Sequence, residues 1–247
     1  MDKKYDIVAL GEVLIDFTPA GRSERGMLLF EQNPGGAPVN MLTAAAKNGF
    51  RTAFIGKVGD DMHGKFLRDT MVAEGIDTEG LVVADDVFTT LAFVALKENG
   101  ERTFSFARKP GADTKLCYKE LNQKIVRDTR VFHVGSLSLT DEPARTTTFQ
   151  AVRMAKESGA LISYDPNYRS PLWESREEAM ERMRSLLPYV DLLKISDEET
   201  ELLTPYKEPE AAAEYLVKKG IRIVAVTLGA DGALVATEDK IKRVPGY

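Results

Sequence analysis

One cysteine, Cys117, and two histidines, His63 and His133, are all that this 247-residue chain holds of the side chains that form disulfides or bind zinc. A lone thiol excludes an internal disulfide and suits a reducing compartment. The common zinc ligand sets cannot be assembled from so few groups. Long apolar runs are absent as well: nothing approaches the roughly 20 residues of a membrane span. The start, MDKKYDIVALGE, has too short an apolar run for a signal peptide. Net positive charge is missing too, since the formal charge is −5, and this argues against a broad nucleic-acid-binding face. The expectation is a soluble, cytoplasmic chain without membrane or nucleic-acid partners. With 43% hydrophobic residues, it has enough apolar material for a substantial core.

Apolar segments alternate with helical ones. YDIVALGEVLIDF predicts a buried strand running into a more exposed one, and an Ala-rich helix follows from Pro38 to Asn48, stopped at Gly49. TAFIGKVG is an apolar strand; the helix after it sets Phe66, Leu67 and Met71 on one side and stops at Gly75. VFHVGS, ALISYD, DLLKIS and IRIVAVTLG read as further buried strands with helices between them. His133 lies in the first of these and is expected as a packed core imidazole, whereas His63 in a polar loop is expected at the surface. Strands alternating with helices predict a mainly parallel, doubly wound α/β sheet covered on both faces. One region breaks the rhythm. GLVVADD, TTLAFVALKENG and ERTFSFARK have no helix between them, Asn99-Gly100 is a hairpin signal, and MLLFEQ supplies another strand. These predict a small β-sheet standing off the body, with strands from about 12–32 and 80–108 in a single domain over 1–247. Alternation sets Phe104, Phe106 and Arg108 on one face of its last strand.

GDDMHGK (59–65) has P-loop spacing, but Phe66 stands where Ser or Thr must hold Mg²⁺; its acids are expected to cap the next helix. No G-x-G-x-x-G joins a strand to a helix. NPGGAPVN (33–40) places two glycines ahead of a helix whose first turn holds Pro38 and Asn40. With Asp16 nearby, this offers backbone amides, an amide side chain and a carboxylate, a set suited to a polyhydroxylated ligand. A tight turn with a polar cap is the alternative, and both stay open at this point.

GEVLIDFTP, NPGGAPVNMLTAAAKNGF, GKVGDDMHG, GERTFSFARKPGAD, ISYDPNYRSPLW, DLLKISDEETELL and VTLGADG, in that order, resemble ribokinase-like (PfkB-type) carbohydrate kinases, most of all the fructokinase branch. The resemblance implies a doubly wound α/β domain with a β-sheet lid over a sugar, and ATP-dependent phosphorylation of fructose to fructose 6-phosphate. It implies Asp16, Gly35, Gly36, Asn40, Phe106, Arg108 and Arg169 as sugar-binding residues, with the glycines letting sugar hydroxyls reach the backbone. It assigns Asn167, Lys194, Ser196, Glu199, Thr227 and Gly229 to the nucleotide side. Glu199 would act on Mg²⁺ indirectly through water, although S-x-x-E is also a capping box. Further implications are ATP and Mg²⁺ as cofactors, K⁺ as a monovalent cation, and homodimers formed through the lid.

The family's G-A-G-D motif, whose Asp is the general base, occurs nowhere in residues 1–247. The resemblance puts that Asp beyond Tyr247, soon after the segment RVPGY (243–247). The expectation is therefore a fold truncated at Tyr247, with no catalytic base in the chain and no activity when it is made alone. A kinase for 2-keto-3-deoxygluconate or another sugar, and a non-catalytic sugar-binding regulator, are the competing readings.

Overall fold

The computed structural model describes residues 2–96 and 102–246. The Asn99-Gly100 turn and Tyr247, the residue after which the truncation is expected, lie outside the described residues. In chain order the elements are β1 (Tyr5–Leu10), β2 (Leu14–Arg22), β3 (Leu28–Gly35), α1 (Ala37–Lys47), β4 (Thr52–Gly59), α2 (Met62–Ala73), β5 (Ile76–Ala84), β6 (Leu91–Leu96) and β7 (Arg102–Ala107). Then come α3 (Gln123–Arg127), β8 (Thr129–Gly135), α4 (Ala144–Glu157), β9 (Leu161–Asp165), α5 (Arg176–Leu186), β10 (Leu192–Ser196) and α6 (Thr200–Leu203). The last are α7 (Pro209–Lys218), β11 (Ile223–Thr227), β12 (Ala233–Ala236) and β13 (Ile241–Val244).

Nine strands form one sheet in the order β13-β12-β11-β10-β9-β8-β1-β4-β5. Pairing is parallel from β5 across to β11, and β12 and β13 return antiparallel. Successive side chains of a strand face opposite ways, so β1 and β4 feed two cores. Ala9, Phe54 and Val58 meet Leu42 of α1 and Leu67 and Met71 of α2 on one side. Val8, Leu10, Ala53 and Ile55 join Phe132, Ile162, Ala151 of α4 and Met183 of α5 on the other. Both covering helices on the first side have readable ends. Asp61 accepts from the His63 and Gly64 N–H groups at 2.9 Å to cap α2, and Gly49 and Gly75 follow α1 and α2 with positive φ.

A separate four-stranded sheet has the order β3-β2-β6-β7. Its registers pair Asp16 with Asn33 and Ala92, and Ala92 with Phe106; two residues further along, Thr18 pairs with Glu31 and Val94 with Phe104. One face of the small sheet thus carries Asp16, Thr18, Phe104 and Phe106 together. The other face carries Phe17, Phe30 and Phe93. Residues 80–84 differ from the sequence expectation: they form the end of β5 and pair parallel with β4 in the large sheet. Gly80 broke the strand pattern, and the register shift between Ala53 and Ile55 shows why it is glycine. A Cβ there would come within 2.6 Å of the Phe54 carbonyl oxygen.

Candidate functional site

The chain enters the large sheet at β1 and builds outward in both directions, to β4 and β5 on one side and β8 to β11 on the other. Ligands of open α/β sheets bind at such a reversal, outside the C-terminal strand ends. A cleft of about 230 Å³ lies there, walled by Glu12 after β1, Gly36 at the N-cap of α1, Ala37 and Asn40 in its first turn, Leu137 after β8, and Asn167 and Arg169 after β9. The small sheet closes it from above with Leu14, Asp16, Thr18, Val94, Phe104 and Phe106. The two phenylalanine rings stack with centroids 6.1 Å apart. Among the described residues, the cleft gathers Asp16, Gly36, Asn40, Phe106 and Arg169 from the predicted sugar set, and also Asn167, expected on the nucleotide side. Burial raises the Asp16 carboxyl above its ordinary range, and the Arg169 charge opposes that rise.

The paired glycines have a local cause. A Cβ on Gly35 would collide with the Asp16 carboxylate, and one on Gly36 would stand 2.6 Å from the Glu12 carbonyl oxygen. Gly36 also has φ of 112°, a conformation open to glycine. The bareness of this turn lets the β3–α1 bend lie against the β1–β2 bend, and so brings Asn40 opposite Asp16. Gly35 itself pairs with Leu14 and does not line the cleft.

Arg108 points elsewhere. Just past β7, its guanidinium is buried and forms an ion pair with Asp113 at 2.7 Å. It also donates to the Leu137 carbonyl at 2.8 Å and the Thr140 hydroxyl at 2.9 Å. Asp113 accepts in addition from Thr90, just before β6, at 2.5 Å. Both ends of the β6–β7 hairpin are therefore tied to the body through one carboxylate. Arg108 contributes to a neighbouring cavity of about 630 Å³ with Trp173 and Lys109, not to the cleft of Asp16.

Asn167 has φ of 45°, and its N–H donates to Asp165 at 3.2 Å. This bend after Pro166 swings Asn167 and exposed Arg169 over the strand ends. Glu199 is buried beneath it. One oxygen accepts from the Tyr168 N–H at 2.7 Å, and the other from the Ser196 N–H at 2.8 Å and the Ser196 hydroxyl at 3.1 Å. The capping box is therefore present, and Glu199 also braces the Asn167–Arg169 bend. Lys194 pairs with Asp165 at 3.1 Å. That lysine opposes the burial that raises Asp165. Thr227 ends β11 beside Ser196, its register partner, and Gly229 has φ of 57° in the following turn. Lys194, Ser196, Thr227 and Gly229 thus form a second group along the strand ends of β10 and β11, away from the cleft lining.

No group of three or more His, Cys, Asp or Glu residues stands ready to hold a metal among the described residues. The oxygens of Glu199 already meet three donors, which fits a contact to a hydrated ion better than direct ligation. His133 is buried as expected, bonded to Ser163 at 2.9 Å, and burial lowers its pKa to about 4. His63 is half-buried: its ring lies edge-on to Phe17 and Phe88, and its Nδ1 is 3.3 Å from the Gln32 amide. Sequence reasoning passed over Glu12, Thr18 and Leu14; the pairing of strands from distant segments was needed to find them. Glu12 alone left a trace, a charge directly after the apolar strand YDIVALG.

Comparison with known proteins agrees with the fold. The family model for pfkB family carbohydrate kinases matches residues 4–247. The chain belongs to that family. Probable fructokinase-2 of Arabidopsis thaliana is 42% identical over 244 residues, spanning 96% of this chain and 73% of the relative. Among solved structures, fructokinase with bound ATP from Xylella fastidiosa superposes with a TM-score of 0.89 at 35% identity, covering 98% of this chain and 78% of that one. A fructokinase double mutant from Vibrio cholerae O395, in a form with fructose, ADP and potassium ion bound, gives 0.87 at 33% identity, covering 100% and 77%. The chain spans about three quarters of the length of each of these relatives. The fold shared with these structures accounts for both sheets of this chain. Among the described residues no helix is long and apolar enough to cross a membrane.

Proposed function

We propose that this chain provides the sugar site and lid of an ATP-dependent fructokinase, which transfers a phosphoryl group to fructose to give fructose 6-phosphate. The observation that carries the reading is the convergence of Asp16, Asn40, Asn167 and Arg169 with the lid phenylalanines in one cleft of about 230 Å³. The family membership and the fructokinase relatives support it. Asp16, an acceptor, and Asn40, a donor and acceptor, bond neighbouring hydroxyls from two sides. Phe104 and Phe106 cover the apolar face of the sugar and exclude water, which limits ATP hydrolysis. Arg169, at the rim towards Asp165 and Lys194, stands between sugar and phosphates, where a planar cation suits charge developing in transfer. Lys194, Ser196, Thr227 and Gly229 take the nucleotide side. Bound Mg²⁺ would neutralise phosphate charge, with Glu199 reached through water, and K⁺ is a further ion of the reading. The commitment of Arg108 to Asp113 favours a neutral ketose over an acid sugar such as 2-keto-3-deoxygluconate. The single cysteine fits work in the reducing cytoplasm.

Calorimetric titration of the chain with fructose, 2-keto-3-deoxygluconate and ribose tests the reading. Fructose should bind most tightly; preference for either of the others overturns it. No G-A-G-D motif, which this reading takes as the source of the general base, occurs within residues 1–247. Turnover by this chain should therefore lie about 10²–10⁴-fold below that of a fructokinase carrying the motif, the usual cost of a missing base. Turnover at a full kinase rate would refute that role for the motif.

The outer lid face is proposed as a homodimer contact. Leu28, Phe30 and Phe93 are large apolar side chains exposed on this face of the small sheet, a density unusual for a free surface. A second copy, offering the same apolar strip, is the complementary partner. Sedimentation should give a dimer that Phe30→Glu converts to a monomer; a monomeric native chain would exclude the contact.

A further inference from the structure

We propose that Glu12 is the uncharged floor of the sugar cleft, a positioning residue that fixes the first turn of α1 and gains a proton when a sugar binds. The inference rests on the sugar reading given above. Glu12 follows β1 directly, lines the cleft and is only 3% exposed. Its Oε1 accepts from the Ala37 N–H at 3.1 Å, whereas its buried Oε2 has no partner among the described residues. The N-cap of α1 is Gly36, which has no side chain to offer, so Glu12 supplies the capping acceptor from the β1–β2 bend. Asn40 lies one turn further along the same helix. Whatever fixes Ala37 therefore fixes Asn40 against Asp16.

A carboxylate buried this deeply needs several donors or a cation, and Glu12 has one backbone N–H. The guanidinium of Arg108 draws it towards ionisation, but that group is held by Asp113, whose own charge pushes the other way. Asp16 and Arg169 face it across the cleft, and Asp165 and Lys194 neutralise each other at the next strand ends. Burial, with Asp113 adding to it, raises Glu12 to about 7 against the opposition of its backbone bonds and Arg108. A sugar seated in the cleft displaces the remaining water and disfavours the charged form further. Affinity should then fall as pH rises through neutrality, because only the protonated fraction binds well.

Calorimetric titration with fructose between pH 6 and 8, in two buffers of different ionisation enthalpy, reads both affinity and proton uptake. The native Kd should weaken about tenfold across this range, with uptake of a proton on binding. Glu12→Gln, which keeps an acceptor and a neutral donor, should bind at every pH as the native chain does at pH 6. Glu12→Ala should be weaker throughout. A flat native profile, or an unchanged pH dependence in Glu12→Gln, which would assign the titration to Asp16, overturns the proposal. If the native chain binds no fructose at any pH, the sugar reading itself has failed. Thermal unfolding then decides the neutral floor: native stability should fall relative to Glu12→Gln from pH 5 to 7.5, and parallel curves would exclude it.

Discussion

β4 and β3 each have eight residues, yet all of β4 is buried, while Leu28–Pro34 of β3 are exposed or half-exposed before Gly35 turns inward. The first strand is held from both faces by helices; the second has a cleft on one side and an aromatic face on the other. Strength of packing therefore falls steeply from the body to the lid. The cleft lies on that gradient, with Glu12, Asn40 and Asn167 fixed in the body and Asp16, Phe104 and Phe106 carried by the small sheet. A site divided in this way has rigid walls for orientation and a cover with far fewer buried contacts resisting its movement. The Asp113 clamp, binding Arg108 and Thr90, marks where the cover is attached.

The sharpest way to break the comparison is to empty one position in each region. Phe54→Ala, in a fully buried site between α1 and α2, should cost about 3–5 kcal/mol in denaturant unfolding. A loss below about 1 kcal/mol, the scale of a surface change, would show that the body is no better packed than the lid. The buried His133 gives the body an acid limit. Its pKa is lowered from the ordinary 6.5 to about 4 by burial, with Lys194 adding repulsion. The folded state therefore binds fewer protons than the unfolded one between those values, and stability present above pH 6.5 is lost as pH falls towards 4. The loss is about 3 kcal/mol, at roughly 1.4 kcal/mol per unit. Unfolding midpoints of His133→Asn should lack that acid limb; an unchanged limb would assign it to another group.

Smaller effects belong to the lid. Asp16→Ala should weaken fructose binding by about 1.5–3 kcal/mol, the scale of hydrogen bonds to a charged group, and leave the melting temperature near that of the native chain. Unchanged affinity would remove Asp16 from the cleft chemistry. Phe93→Ala should change monomer stability by less than about 1 kcal/mol, because the ring is 39% exposed and stacks on Phe17 across a single sheet. A loss matching that of Phe54→Ala would mean that the lid is as firmly built as the body.

Much of this organisation was legible in the residue order. The alternation of apolar strands with helices pointed to the parallel sheet, and Asp61, Gly49 and Gly75 marked helix ends correctly because capping is a local interaction. Four readings were corrected, relocated or refined, each for a non-local reason. Residues 80–84 joined the large sheet because their partner is β4, on the far side of α2 in the chain. The glycines of NPGGAPVN are bare because Glu12 and Asp16 crowd them. His63 is half-buried because β2 of the lid sets Phe17 beside it. Arg108 turned from the cleft to Asp113, a partner beyond the strand that alternation along it could not reveal.

Periodicity, caps and turn residues, acting over a few bonds, were enough for the sequence by itself to determine the elements, their alternation and the chemical kinds of group available for a polyol. Only the tertiary structure decided which of those groups meet, because strand registers and the crossing of the β1–β2 and β3–α1 bends depend on contacts between distant segments. The burial of Glu12 beside an N–H and away from any free cation is a product of that assembly, and no stretch of sequence carries it alone.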